Sequence, residues 1–301
     1  MIMMQKIVIL LDLDGVLATR DIAFDLFKSK GWGTKFEAAS NEIADAVNAG
    51  KNFNGQKAYA GQTVEHVMRK AIEAGVQINE AEIKKIAEEA RLMPGSKRLI
   101  RLLNSNPNVK DVFVISTTYK AGADVIAKRL GISPKKVFAT ELKTDTSRTV
   151  VGTRGPACGG IHKASTVKEI STRTGTPLGR MVAVGDSITD IGMMIKVIGK
   201  GGLGIAFNAH QDLILRKPNV IYAGRSLRPA YGLIKAFALE GHAGVKRIVE
   251  RNIRMRRLIG VPMSLIGRPF LFRPGKKDKK TRAKSAKYRA KVRSKKIARL
   301  R

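Results

Sequence analysis

The sequence predicts an α/β fold: a Rossmann-like parallel sheet with helices on both faces, a small helical cap, and a basic C-terminal tail expected to be disordered. Three observations predict it. From residue 96 onward short β-branched runs alternate with helical patterns, as in parallel strands joined by helical crossovers. A block of helical segments separates the first strand from that alternation. The last fifth of the chain carries most of the excess positive charge.

In chain order, Lys6–Leu11 (KIVILL) reads as a buried strand. Helices follow at Asp21–Lys30, Thr34–Ala49, Thr63–Ala74 and Asn79–Leu92, the last opened by Asn79 and Glu82 at capping-box spacing. Pro94-Gly95 marks a break. Helix Ser96–Leu103 leads to strand Asp111–Ile115, and helix Ala121–Leu130, ended by Gly131, to strand Lys136–Thr140. Residues 141–160 are polar and Gly-rich, a hairpin or loop. Helix Lys163–Arg173 leads to strand Arg180–Val184, with short strands at Gly204–Phe207 and Asn219–Tyr222. Residues 228–259 read as helical, with an apolar stripe of Val245, Ile248, Val249, Ile253 and Leu258 among arginines and lysines. The expected division is a core of 1–17 and 93–240, a cap of 18–92, a basic amphipathic helix of 241–261 and a tail of 262–301.

The formal net charge is +33. Residues 1–240 carry 35 Lys/Arg and 22 Asp/Glu, whereas residues 241–301 carry 22 and 2. Such an imbalance attracts phosphates, nucleic acid or another polyanion, or holds the basic helix near an anionic membrane surface, unless it is only a solvated extension. Residues 273–301 hold 15 Lys/Arg and one acid, too little apolar surface to offset the ordering entropy. Cys158 is the only cysteine, so no intrachain disulfide can form, and a reducing, cytoplasmic setting is expected. No apolar run approaches the roughly 20 residues of a membrane span. The apolar start runs straight into Asp12 without a small-residue cleavage site, unlike a signal peptide.

Four short signals carry chemistry: Asp12-Leu13-Asp14-Gly15-Val16-Leu17 after the first strand, Ser116 after VFVI, Lys163 near a helix start, and Gly185-Asp186-Ser187-Ile188-Thr189-Asp190 after MVAV. Asp12, Ser116 and Asp186 fall just past the carboxyl ends of expected parallel strands, the edge where open α/β sheets bind ligands. Carboxylates gathered there repel unless a hard cation sits between them, and oxygen ligands suit Mg²⁺. Phosphate monoesters are so inert that catalysis reaches about 10²¹-fold, which demands an aligned nucleophile, neutralised oxygens and a proton donor. Asp12 can be the nucleophile and Asp14 the general acid/base. Ser116 and the N–H groups that follow it, from Thr117 on, can bind phosphate oxygens. Lys163 can face both Asp12 and the phosphate, Asp186 can complete a metal shell, and Asp190 can orient metal-bound water.

Together DLDGVL, ISTT, Lys163 and GDSITD resemble the four motifs of the haloacid dehalogenase superfamily, over roughly residues 5–225. The helical block between the first two motifs resembles a type-one cap, which points to the phosphoserine phosphatase-like branch. MPGSKRLI and VISTTYKAGADVIAKRLGI are most similar to its archaeal-type relatives. The resemblance implies a Mg²⁺-dependent phosphatase working through an aspartyl-phosphate on Asp12. Metal would be held by the Asp12 carboxylate, the Asp14 backbone carbonyl and Asp186. Three departures stand out: Asp21 where a substrate-contacting Glu is usual, Thr117-Thr118 in place of Gly-Gly, and Thr189 in place of Asn. Phosphoserine as the substrate therefore does not follow.

Single residues have plainer readings. Asp21 suits an ordinary helix start, Cys158 an incidental loop position, and the four histidines show no mutual metal spacing. The expected partners are a small phosphorylated substrate and, through residues 241–301, non-specific nucleic acid or another polyanion. Two rivals remain: a catalytically silent binding or regulatory protein on the same fold, and a nucleic-acid-tethered nucleotide or polynucleotide phosphatase.

Overall fold

The computed structural model of the chain describes residues 6–210, 213, 218–258 and 270–272. Strand β1 (Ile7–Leu11) lies near the centre of a seven-stranded sheet. Across the sheet the order is β11 (Phe270–Phe272), β10 (Val220–Tyr222), β9 (Leu203–Phe207), β8 (Met181–Gly185), β1, β4 (Val109–Tyr119) and β5 (Val137–Thr140). The run from β10 to β5 is parallel, and β11 adds antiparallel to β10.

Every residue of β1 is buried, as a central strand covered on both faces requires. Side chains alternate across the pleat, so Ile7, Ile9 and Leu11 join one apolar cluster while Val8 and Leu10 join the other. The first cluster takes in α5 (Ser96–Asn104), α6 (Lys120–Arg129) and α9 (Arg228–Leu258). The second takes in α7 (Ile161–Thr174) and α8 (Ile191–Ile198).

The block after β1 forms α1 (Ile22–Ser29), α2 (Gly33–Asn48), the β2–β3 hairpin (Asn52–Phe53 and Gln56–Lys57), α3 (Gln62–Glu73) and α4 (Glu80–Glu89). The capping box at Asn79 is present: the Ala81 N–H donates to Asn79 Oδ1, and the Asn79 N–H to Glu82 Oε2. This helical layer is bonded to the core. Tyr119 Oη donates to the Val64 carbonyl at 2.9 Å, and the Val150 N–H to the Ile78 carbonyl at 2.8 Å. Residues 141–160 do contain a hairpin, β6 (Leu142–Thr144) with β7 (Val150–Thr153).

Five features depart from the sequence reading, the β2–β3 hairpin being the first. Helix α8 was not expected, because IGMMIKVI is apolar on nearly every side and carries no 3.6-residue stripe. It is wedged between α7 and the sheet, where such a helix is stable. Strand β4 continues through Ser116–Tyr119, where β-branched and aromatic residues extend it past a register shift against β5. The helical stretch 228–258 is broken at Gly241 (φ 61°, ψ −149°), a conformation open to glycine. Beyond the break Val245 and Val249 are buried while Lys246, Arg247 and Arg251 face solvent, as the stripe required. Finally, Phe270–Phe272, within the stretch read as tail, pairs with β10. The remainder of 262–301 lies outside the described residues.

Candidate active site

The loop after β1 turns sharply at Gly15 (φ 76°). A Cβ there would stand 2.0 Å from Asp186 Oδ2, so only glycine lets the loop after β8 close on the loop after β1. The Asp12 N–H continues the ladder to the Val184 carbonyl at 2.9 Å, and the Asp12 side chain stands at the strand end, 4% exposed.

Lys163 comes in from the first turn of α7, whose start is set by close packing. At Gly159 a Cβ would be 2.3 Å from the Ala60 carbonyl oxygen. The lysine is fully buried, and its Nζ donates to Asp12 Oδ1 at 2.6 Å and to Asp190 Oδ1 at 2.7 Å. Asp190 spends its other oxygen on the N–H groups of Asp186 and Ser187, at 3.0 and 3.2 Å. Asp190 thus braces both Lys163 and the loop that carries Asp186.

One carboxylate oxygen each from Asp12, Asp186 and Asp190 lies within 4.8 Å of the others. Burial and that crowding show in the titration of Asp12 and Asp186. Burial, then Asp190, raises the Asp12 carboxyl to about 7 even though Lys163 pulls it down. Burial, then Asp12 and Asp190, pushes Asp186 up to about 9. Burial and the charges of Asp21 and Asp12 hold Asp14 well above the carboxylate range. Lys163 goes the other way: burial would lower it, but the two acids outweigh burial and hold it raised. Two acids at the strand ends, Asp12 buried and Asp186 half-buried, with only one lysine between three carboxylates suit a hard divalent cation, so the donor set fits Mg²⁺. The Asp14 carboxylate stands outside this cluster; the oxygen expected from Asp14 was its backbone carbonyl.

Above these acids lies a cavity of about 300 Å³. Asp12, Asp14, Gly15 and Asp186 form its floor, with Thr117, Thr118, Thr189 and His210 from the core. The helical layer closes it with Thr19, Arg20, Asp21, Phe36, Ser40, Ile43, Thr63 and Val64 among others. Arg20 is clamped by Asp25, at 2.7 and 2.9 Å. Asp21 lines the cavity and also caps α1, accepting from the Phe24 N–H at 3.0 Å. Its carboxylate is already engaged, which fits its reading as a helix-start acid.

Ser116 is placed differently from expectation. It lies inside β4 and not just past its end, fully buried, and its Oγ accepts from the Thr118 N–H at 3.2 Å. The strand extension brings Thr117 and Thr118 to the cavity instead. Thr117 Oγ1 donates to the Cys158 carbonyl at 3.2 Å, and the Thr117 carbonyl accepts from Thr140 Oγ1 at 2.6 Å. Thr118 Oγ1 is buried with no hydrogen-bond partner, an unusual state for a hydroxyl in a protein interior. Sequence reasoning noted Thr118 only as a departure from Gly-Gly. It also passed over His210, whose N–H donates to the Asp186 carbonyl at 2.8 Å. Spacing alone carries no signal for His210, because it reaches the site from the loop after β9.

A model of the haloacid dehalogenase-like hydrolases matches residues 9–194, from β1 through Asp190. The chain belongs to this family. Among curated relatives, phosphoserine phosphatase of Archaeoglobus fulgidus is 27% identical over 209 residues, covering 69% of this chain and 54% of the relative. That of Streptomyces coelicolor is 28% identical over 205 residues, covering 68% and 44%. The chain spans about half the length of the curated relatives it matches. Among solved structures, a substrate-bound phosphoserine phosphatase complex aligns with TM-score 0.59 at 22% identity, over 75% of this chain and 96% of that one. An Archaeoglobus fulgidus gene product aligns with TM-score 0.67 at 19% identity, over 80% and 86%. The structures confirm the haloacid dehalogenase-like fold, and the relatives put the chain in the phosphoserine phosphatase-like branch. Among the described residues no helix is long and apolar enough to cross a membrane.

Proposed function

We propose that the protein is a Mg²⁺-dependent phosphomonoesterase that takes the phosphoryl group onto Asp12. The observation that carries this reading is the buried Lys163 gripping Asp12 at 2.6 Å at the floor of a cavity open to one side, with Asp186 beside it. Asp12 and Asp186, with the Asp14 carbonyl, would hold the metal, which would neutralise phosphate oxygens when bound. Lys163 orients one Asp12 oxygen, leaving the other to attack phosphorus. As the bond from phosphorus to the leaving oxygen breaks, Asp14 gives that oxygen its proton. Burial and the neighbouring acids raise the Asp14 carboxyl, which favours the protonated form that a general acid needs. Water then attacks the aspartyl-phosphate, Asp14 takes a proton from it, and Asp12 and inorganic phosphate are released. The Thr117 N–H and the unpartnered Thr118 hydroxyl would donate to phosphate oxygens, and the helical layer would shield them from bulk water.

The relatives named phosphoserine phosphatase support the reaction class. They do not carry the substrate over, because Asp21, Thr117, Thr118 and Thr189 stand where that branch has other residues. The test is hydrolysis of an aryl phosphate by wild type and Asp12→Asn, each with Mg²⁺ and with EDTA. Turnover is expected only for wild type with metal. Metal-dependent turnover that survives Asp12→Asn would overturn the mechanism, and an inert wild type would favour a silent binding protein.

A further inference from the structure

The sheet edge that holds the cavity continues into a basic surface. Contacts lead there step by step from the cavity wall. Thr19, on that wall, donates its N–H to the Arg91 carbonyl at 3.0 Å, and the Met93 N–H donates to the Leu17 carbonyl at 2.8 Å. The Leu227 N–H donates to the Pro94 carbonyl at 2.9 Å, so α5 and α9 start from one junction. On the other side of the cavity, Asn208 is bonded twice to Gly224, once as donor and once as acceptor, at 2.9 and 2.8 Å. This places Arg225 on the same edge as Asp186 and His210.

Charge at the junction has one sign. Residues 91–110 contain five Lys/Arg and no acid, and residues 218–239 contain three and no acid. Lys97, Arg98, Arg101, Arg225, Arg228 and Lys235 are all exposed. None of the six forms an ion pair with a described residue. Elsewhere on the surface some cations are paired, as in Arg69–Glu73, Lys120–Asp124 and Lys246–Glu250, and others, such as Lys51, Lys128 and Lys143, are not paired with a described residue. The junction differs in gathering six unpaired cations in two stretches without an acid. Gathered cations left without acids repel one another, and an extended polyanion relieves that repulsion. Among the described residues the one large exposed apolar side chain near these cations is Leu239, 41% exposed and one helical turn beyond Lys235, and a single such side chain gives little to enter a lipid layer.

We propose that this face holds the sugar–phosphate backbone of a single-stranded nucleic acid whose terminal phosphomonoester enters the cavity. The inference rests on the phosphatase reading above and names the substrate class of that site. Hydrolysis would turn the phosphorylated end and water into a free hydroxyl and inorganic phosphate. A cavity of about 300 Å³ has room for the terminal phosphate and its sugar, while the chain beyond runs over Lys97, Arg98 and Arg225. Recognition through backbone phosphates reads no bases, so base sequence matters little.

The test uses the full chain with Mg²⁺. It compares kcat/KM on a short single-stranded oligonucleotide carrying a terminal phosphate, at its 5′ or 3′ end, with kcat/KM on an aryl phosphate. The comparison is made for wild type and for Lys97→Glu/Arg98→Glu/Arg225→Glu, all three positions being exposed. Wild type should prefer the oligonucleotide. The triple variant should lower the ratio of the two constants about tenfold or more, and its log–log salt slope should fall by about 2, three contacts at about 0.7 each. An unchanged ratio, or wild type without preference for the oligonucleotide, overturns the proposal. So does retention on phosphatidylserine vesicles that depends on the three cations while oligonucleotide binding does not. If wild type turns over neither substrate, the phosphatase reading fails. Fluorescence anisotropy of the labelled oligonucleotide then judges the surface alone: weaker binding by the variant supports it, and equal binding overturns it.

Discussion

Replacing Lys163 by methionine keeps the length of the side chain and removes its charge from a site that is 0% exposed. Two hydrogen-bonded ion pairs are lost, at 2.6 Å to Asp12 and 2.7 Å to Asp190. Breaking a buried pair by deleting one partner costs about 3–5 kcal/mol, because the remaining charge has no compensation. Here part of that cost can be relieved. Asp12 already titrates at about 7 with the lysine present, and without it the carboxyl rises further, so it takes a proton at neutral pH with little penalty. The loss then falls mainly on Asp190, which is fully buried, and on the two hydrogen bonds. We expect metal-free Lys163→Met to lose about 3 kcal/mol at neutral pH, measured by urea unfolding, with a larger loss at higher pH where proton uptake is harder. In an Asp190→Asn background the same substitution should cost less, by a coupling of roughly 1–3 kcal/mol. A loss below about 1 kcal/mol, or an equal loss in both backgrounds, would refute the view that Lys163 compensates a buried acid cluster.

Two further outcomes follow from the same site. Thr118→Val removes a buried hydroxyl that has no partner, so urea stability should rise by about 1 kcal/mol, while kcat/KM on an aryl phosphate should fall if that hydroxyl meets substrate. A loss of stability would mean the hydroxyl is satisfied in solution. The second outcome concerns pH. In the metal-free fold Asp12 and Asp186, raised to about 7 and about 9, keep protons that the unfolded chain releases near its ordinary carboxylate value of about 4. The native state therefore binds more protons in that window, and this contribution to stability is lost as pH rises, Asp12's part by about pH 7 and Asp186's by about pH 9. Lys163, raised above its ordinary value, contributes stability that is fully present throughout this range. Mg²⁺ competes with the protons on the acids, so its gain in Tm over EDTA should be larger at about pH 8 than at about pH 6. The reverse order would contradict the assignment of Asp12 and Asp186 as ligands.

How far the site was legible in the sequence depended on what each residue hangs from. Asp12 and Asp186 follow strands that are apolar throughout, and a buried parallel strand has few ways to be misread. Lys163 and Asp190 come in the turns that open α7 and α8, so their positions follow from the strand-to-helix connections. Ser116 was misplaced because the end of β4 is set by contacts from elsewhere: Thr140 bonding the Thr117 carbonyl, and Tyr119 reaching Val64. Asn54-Gly55 held an overlooked signal, since both residues adopt positive φ in the turn of the β2–β3 hairpin, as an Asn-Gly pair favours.

The substrate side of the cavity was illegible for a different reason. Phe36, Ser40, Ile43, Thr63 and Val64 stand on helices whose separation and rotation are settled by packing, through pairs such as Phe27–Phe36 and Phe24–Phe36 at 5.7 and 5.8 Å. Helical periodicity says which residues face inward but not which of them meet a neighbouring helix and which meet a ligand. Chemistry tied to strand ends is thus readable from motif and period, whereas specificity tied to helix packing is not. The basic junction lies between these cases: its charges are plain in the sequence, but only the pairing of Leu227 with Pro94 shows that α5 and α9 present them together beside the cavity.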